Sequence, residues 1–486
     1  MANLRRSLVI NFFSSSGTAF LQFGVSVILA RILSPGEIGV FSMTIVFVNI
    51  AHVFRDFGVS GYLQREPDLT ADKIRSASGV AFVISWTIAL ILFLASPSLG
   101  RWFSEPEIVP VMRVLSLSFV LIPFGAVTSA LLAREMAAEK QATVSVITTV
   151  SYCMACLIFA WLGYGTMSLA YANVVNNIVA ALAFIPFRPK NLPVLPSFRH
   201  WRSVAHFGVG SLLSSFLTQV NNSIPDILLG KLGNARQVGL LSRANSTVTI
   251  FTYVAGSTVS YGALSYLSTA YHRGESLVPI LKRATVLLTG VGWTALALTS
   301  VLGQDIVLAL YGPTWLECVP AILPLSLAAA VGMMFHYIPM AVSAIGRPYL
   351  SAVPTSVMLV ARIGIASVLF NGSIAGFAWV LCFATIITVP VIALQQKRHF
   401  DFHMGILLRA LMPSLIVAMA TAAVAALLAL LLPASIKPLL RLLIMAPFLA
   451  AAWYLMLRAT RHDLVDEIHR LAVPLKSRLA WLLPNV

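Results

Sequence analysis

The chain has 486 residues, of which 58% are hydrophobic and only 10% charged. A soluble globular protein carries roughly a quarter charged residues. A mean hydropathy of +0.88 therefore leaves too little polar surface for a soluble enzyme, a secreted disulfide scaffold or a disordered chain. The net charge of +16 comes from 33 Lys and Arg against 17 Asp and Glu. The basic residues fall in short segments between long apolar runs, the pattern that encodes orientation in a bilayer, so no nucleic-acid partner is expected.

About 20 apolar residues cross a bilayer as a helix, and on that ruler the chain reads as an all-α polytopic membrane protein with about 14 transmembrane helices. Met1–Arg6 is basic, and the apolar run after it is full-length with no small-residue cleavage site, so no cleavable signal is expected. The first six spans are Val9–Ala30, Ile38–Leu63, Ala77–Ser96, Val109–Ala133, Thr143–Leu162 and Thr166–Phe187. A Pro-rich basic connector, 188–203, separates them from Val204–Gly230, Val238–Leu267, Ala284–Tyr311, Val319–Ile345, Tyr349–Phe370 and Ser373–Leu394. The last two are Gly405–Leu432 and Pro438–Leu457. The organisation expected is an N-lobe (1–187), the connector, a C-lobe (204–396), two further spans (397–458) and a basic amphipathic tail (459–486) that either lies on anionic lipid or docks on the protein. Pro123, Pro225 and Pro339 predict kinks in spans four, seven and ten. Cys153 and Cys156 read C-x-x-C but sit inside span five, where buried small apolar residues are expected. With the N-terminus inside, 23 Lys and Arg fall on the cytoplasmic side and eight on the other, which places both termini in the cytoplasm.

An internal repeat accompanies the count. Laid 200 residues apart, Asn11–Ile50 and Ser211–Ile250 share eight identities in forty positions. The turn Leu33-Ser34-Pro35-Gly36-Glu37-Ile38-Gly39 lies over Gly233-Asn234-Ala235-Arg236-Gln237-Val238-Gly239. Val109-Pro110 and Leu115-Ser116-Leu117 recur at Val319-Pro320 and Leu325-Ser326-Leu327. An even number of spans separates the copies, so they share one orientation and are expected to be related by a pseudo-twofold axis along the membrane normal.

Polar residues then mark the helix faces that avoid lipid. Asn11, Ser15, Thr18, Gln22 and Ser26 draw one stripe on span one; Ser211, Ser215, Thr218, Asn222 and Asp226 repeat it on span seven. Asn49, His52 and Asp56, with Arg55 beside them, do so on span two, and Arg243, Ser246, Thr249 and Tyr253 on span eight. Such stripes line a water-filled cleft or a polar helix contact. Ionisable groups within spans point toward function, here Arg55, Asp56, Asp226, His336 and Arg362. Arg55 with Asp56 or His52 also fits an internal ion pair, and His336 a neutral imidazole bonded to backbone. Arg362 stands near the middle of span eleven, which contains no acid. No metal-ligand cluster, phosphate loop or nucleophile elbow is present in the sequence, so neither catalysis nor a cofactor is expected.

The stretch Ala30–Asp68 resembles the opening of Wzx-type polysaccharide flippases of the multidrug/oligosaccharidyl-lipid/polysaccharide exporter superfamily, with Ala30, Arg31, Leu33, Pro35 and Gly39, then Asp56, Gly58 and Leu63, at the motif positions. His206–Ala244 is similar to the seventh-span region of the colanic-acid-exporter-like branch at Asn222, Asp226, Gly239, Arg243 and Ala244; Gly233 comes one position early and Leu241 replaces the usual Tyr. Tyr311-Gly312-Pro313-Thr314-Trp315 resembles that family's "F-G-x-x-W", and Gly372 with Gly376 its "G-x-x-G-x-A". The resemblance implies a flippase in a bacterial inner membrane that moves a polyprenyl-pyrophosphate-linked oligosaccharide, handing it to a polysaccharide polymerase and export machinery. It implies Arg55, Lys231, Arg243 and Arg362 as cavity cations, Gln22, Asn49, Gln219 and Asn222 as sugar partners, His52 and His336 as further lining, and Asp56 and Asp226 as ion-coupling candidates. A drug antiporter of the same superfamily would favour acids in the cavity, and a glycan polymerase or ligase would need a large external loop.

Overall fold

The computed structural model describes residues 2–55, 59–188, 197, 201–260, 263–433 and 435–470. Asp56 and the tail beyond Arg470 lie outside the described residues. Every regular element described is helical, and the chain divides into two compact units, 1–242 and 243–486.

Unit 1 runs α1 (Ala2–Ile32), α2 (Pro35–Arg55), α3 (Val59–Arg65), α4 (Ala71–Phe103), α5 (Ile108–Leu121), α6 (Pro123–Arg134), α7 (Ala138–Trp161), α8 (Met167–Phe184), α9 (Trp201–Leu232) and the start of α10 (Ala235–Ser260). Unit 2 continues with α11 (Ala263–His272), α12 (Val278–Val301), α13 (Gly303–Leu310), α14 (Val319–Met334), α15 (Ile338–Ala344), α16 (Ala352–Leu369), α17 (Ile374–Phe400), α18 (Met404–Leu431) and α19 (Pro438–Ala459). Among the described residues, ten helices are long and apolar enough to cross a membrane, and the bent pair α5–α6 makes an eleventh. The chain is thus a multi-pass membrane protein. The three other expected spans fall on α1, α9 and α10, helices of 31, 32 and 26 residues; within α1, Ser16–Ile32 is an apolar helical segment.

The repeated turn is built the same way twice. Ser34 Oγ accepts from the Glu37 N–H (3.3 Å) while Glu37 Oε2 accepts from the Ser34 N–H (2.7 Å), a capping box that starts α2. In the second copy Asn234 Oδ1 accepts from the Gln237 N–H (3.0 Å) and starts α10. The two turns meet back to back: a Cβ on Gly39 would fall into the carbonyl of Ala235, and one on Gly239 into that of Pro35. Only glycine permits that approach at both positions.

One of the three expected kinks is a sharp break. The helix of span four bends by 52° between α5 and α6, with Pro123 opening the second segment. Span ten is interrupted by a short turn at 335–337 between α14 and α15, with Pro339 in the first turn of α15, yet runs on as one span over Pro313–Ala344. Pro225 stays inside a continuous α9.

Unit 2 has a core of Leu302, Ile306, Ala425, Met445 and Leu449 where α13 packs on the last two spans, α18 and α19. The ion pair Arg441–Asp305 (3.2 Å) ties α19 to α13. Just beyond α19, His462 is 3% exposed and fills the space of an absent side chain at Gly290 of α12. Its Nδ1 accepts from the Leu464 N–H (3.1 Å), which leaves the ring proton on Nε2, 2.9 Å from Ser414 Oγ of α18. Ser414 Oγ is 3.0 Å from Thr289 Oγ1 on α12. Burial holds this imidazole below the ordinary value of 6.5, against the opposing pull of Asp463. Glu467 pairs with Arg283 of α12, so the first turns of the tail dock on the protein. Cys153 and Cys156 are buried free thiols.

Candidate functional site

The break in span four leaves room inside unit 1. A cavity of about 440 Å³ is walled by Arg55 at the end of α2, by Val59 and Ser60 of α3, and by Ala81 and Ser85 of α4. Leu121 and Ile122 at the break, Gly125, Ala126 and Ser129 of α6, and Asn177, Ala180, Ala181 and Phe184 of α8 complete it. Most of these walls carry glycine, alanine or serine where a packed bundle would interdigitate larger groups, and that missing volume is the cavity. Its size falls in the range of roughly 300–1,000 Å³ typical of small-molecule sites. The described lining offers a guanidinium, three hydroxyls and a carboxamide, and no carboxylate.

The wall is held rigidly at one end. Arg134 of α6 donates to the carbonyls of Leu63 (2.9 Å), Glu66 (2.6 Å) and Pro67 (3.3 Å), and Lys73 of α4 pairs with Glu66. These bonds clamp α3 and the turn after it against α6 and α4, fixing the segment that carries Ser60. At the opposite end, Lys231 donates to the Trp102 carbonyl (2.7 Å) and Glu105 accepts from the Ala235 N–H (3.3 Å), closing the α9–α10 turn onto the end of α4.

Of the residues expected from sequence, the structure gathers some and separates others. Arg55 lines the cavity. His52, one turn earlier, is half-buried with its ring 4.8 Å from that of Phe119 of α5. Asn49 on α2 and Asn222 on α9 are exposed, with Gln219 and Asp226 half-buried beside the latter. Helices α2 and α9 pack together, with the Phe54 and Phe216 rings 5.4 Å apart. Gln219 is tied to Ser223 (3.1 Å). Gln22 is exposed on α1. Lys231 lies away from the cavity, at the far end of the bundle, over the Trp102 ring (5.5 Å).

Unit 2 treats its cations differently. Arg243 is 8% exposed, its guanidinium 5.9 Å from the centre of the Tyr311 ring and 5.7 Å from that of Trp315, with the Tyr311 hydroxyl bonded to Thr247 (3.3 Å). Gly312, at φ 94°, makes the turn that brings Trp315 back beside Tyr311. The Tyr-Gly-Pro-Thr-Trp motif is thus the box that receives Arg243. His336 is exposed in the α14–α15 break, against the Tyr337 ring (5.0 Å), and Arg362 is half-buried on α16.

Ser85 and Asn177 were not singled out from sequence. The one local signal was the asparagines Asn173, Asn176 and Asn177 in an otherwise largely apolar span; the cavity that Asn177 lines depends on helix placement that no local pattern records.

Comparison with known proteins bears on this arrangement. The model of a family described as "Polysaccharide biosynthesis protein" matches residues 28–320. The chain is 24% identical over 322 residues to the succinoglycan biosynthesis transport protein ExoT of Rhizobium meliloti (strain 1021), covering 65% of this chain and 64% of that protein. It is 21% identical over 221 residues to the lipopolysaccharide biosynthesis protein WzxC of Escherichia coli (strain K12), 44% of each. The matches thus span less than two thirds of either relative. The fold is shared with the lipid II flippase MurJ in an inward closed conformation, at a TM-score of 0.75 and 13% identity, covering 93% of this chain and 99% of that one.

Proposed function

The chain belongs to the polysaccharide biosynthesis protein family, and from that premise we propose that it flips a polyprenyl-pyrophosphate-linked oligosaccharide from the cytoplasmic to the outer leaflet of a bacterial inner membrane by alternating access. The prenyl chain of such a substrate can stay in lipid, but a charged, hydroxylated headgroup cannot cross hydrocarbon without polar partners. The observation that carries the reading is the Arg55 cavity: a cation and hydroxyls set together among membrane-spanning helices, with no carboxylate in the described lining. That composition suits an anionic sugar headgroup and not the organic cations a drug antiporter carries. The names of ExoT and WzxC, a transport protein and a biosynthesis protein of surface polysaccharides, support it.

The Lys/Arg bias puts both termini and the Arg134 clamp in the cytoplasm. Ser85 then stands 14 residues into α4, roughly 20 Å along a helix rising 1.5 Å per residue. The cavity in that orientation occupies the cytoplasmic half of the bundle, where a headgroup enters. A polymerase and export machinery would receive the flipped unit.

The test replaces Arg55 and Arg362 singly by alanine in the producing strain. Each variant is expected to reach the membrane in normal amount while surface polysaccharide is lost and lipid-linked oligosaccharide accumulates. Normal polymer output from a variant removes that arginine from the site, and from both removes the cationic path.

A further inference from the structure

We propose that Ser85 and Asn177 form a sugar-reading subsite next to Arg55, so that the unit 1 cavity binds the sugar ring attached to the pyrophosphate as well as the charge itself. The inference rests on the flippase reading and assigns residues to the recognition step within it.

Ser85 is 1% exposed, lines the cavity, and its Oγ has no hydrogen-bond partner. A buried helical serine or threonine ordinarily bonds back to its own helix. This chain does so repeatedly: Ser76 to the Asp72 carbonyl (2.9 Å), Ser96 to Phe93 (2.7 Å) and Thr44 to Val40 (2.7 Å). A buried hydroxyl without a partner costs about 1–3 kcal/mol, and a rotation of the Ser85 side chain toward the cavity it lines would let a ligand hydroxyl relieve it.

Asn177 is prepared in the complementary sense. Its Nδ2 donates to both the backbone carbonyl (2.8 Å) and the Oδ1 (3.2 Å) of Asn173, and that Oδ1 also accepts from Ser118 Oγ (3.3 Å). With the donor side committed, Oδ1 is the atom left to accept from a ligand. Its orientation is fixed by the network behind it and not by the ligand. Arg55 supplies donors to a phosphate oxygen, Asn177 Oδ1 takes a hydroxyl proton, and Ser85 Oγ donates to or accepts from a ring hydroxyl. That set matches a polyhydroxylated ring linked to an anion. A bare phosphate needs no acceptor, and an organic cation needs no guanidinium. The cavity volume, near the lower end of known ligand sites, is of the size of one ring and a phosphate, and its open side leaves the rest of an oligosaccharide outside.

The experiment uses the purified full chain in nanodiscs and a panel of probes: farnesyl pyrophosphate, and farnesyl pyrophosphate carrying a single glucose, galactose or N-acetylglucosamine. Wild type is expected to bind at least one sugar-bearing probe more tightly than farnesyl pyrophosphate. Ser85→Ala and Asn177→Leu should each weaken that probe roughly three- to tenfold, the loss of one neutral hydrogen bond, and leave farnesyl pyrophosphate unchanged. Ala181→Leu, which fills the cavity without touching a polar group, should remove the sugar preference as well; thermal unfolding confirms that each variant is folded. If Arg55→Gln loses every probe while the serine and asparagine variants keep the wild-type sugar preference, the subsite is wrong and the flippase reading stands. The subsite is equally wrong if wild type shows no preference for any sugar-bearing probe. If Arg55→Gln binds all probes as wild type does and supports normal polymer output, the reading beneath it fails too.

Discussion

Spans four and ten are each interrupted beside a proline, sharply in the first and by a short turn within one continuous span in the second, and the two interruptions are finished in opposite ways. In unit 1 the break between α5 and α6 is surrounded by Gly125, Ala126, Ala180 and Ala181, and the volume they leave is an Arg55-lined cavity. In unit 2 the break between α14 and α15 buries Phe335, Tyr337 and Ile338. Arginines follow the same division, since Arg55 lines a cavity and Arg243 is enclosed by two aromatic rings. A proline break sets only where a helix ends. Side-chain volume around it decides between a cavity and a packed core.

That contrast can be challenged experimentally. The largest effect is expected where the copies are equivalent: Gly39→Val and Gly239→Val each push a side chain into the other turn's backbone, a clash at or beyond the roughly 3 kcal/mol upper end for overpacked cores. Both should abolish monodisperse protein in detergent extracts, and a well-behaved Gly239→Val protein would show that the contact is dispensable. Next, Arg243→Lys removes a planar group from two rings, about 1–2 kcal/mol, and should lower the midpoint of thermal unfolding by several degrees. Arg55→Gln should leave that midpoint unchanged. Equal shifts from both would erase the distinction between a structural and a site arginine. The smallest effect concerns His462. Burial depresses its pKa below 6.5, so the undocked tail binds more protons as pH falls through that value; docking is at full strength above it and weakens below. Proteolysis of the tail should therefore be faster at pH ~5.5 than at ~7.5, with the pH dependence lost in His462→Gln. Identical cleavage of the wild-type tail at both values would contradict it.

Much of the architecture was legible in the sequence because hydropathy and turn chemistry are local. The runs from Ala77, Thr143 and Gly405 onward form helices that satisfy span criteria, and the turns at Ser34 and Asn234 are capped as their residue types require. The count was less clear at α9 and α10, where the polar stripes that suggest a cleft also lower the hydropathy that marks a span. For the site, the sequence's charged positions end in different surroundings, with Arg55 on the wall of the unit 1 cavity. Lys231 and Arg243 read from sequence like Arg55, yet one caps the end of α4 and the other fills an aromatic box. Arg243 meets Tyr311 and Trp315 from about 70 positions away, and nothing in the local pattern of either segment announces the pairing.

The back-to-back turns at residues 39 and 239 carry a consequence for how this chain can change over time. Each glycine's absent side chain is the space the opposite strand of backbone occupies, so the two positions behave as one inherited character divided between distant codons. Drift at either is blocked by the other, and the first half of the gene stays tied to the second at this point however far the surrounding sequences diverge.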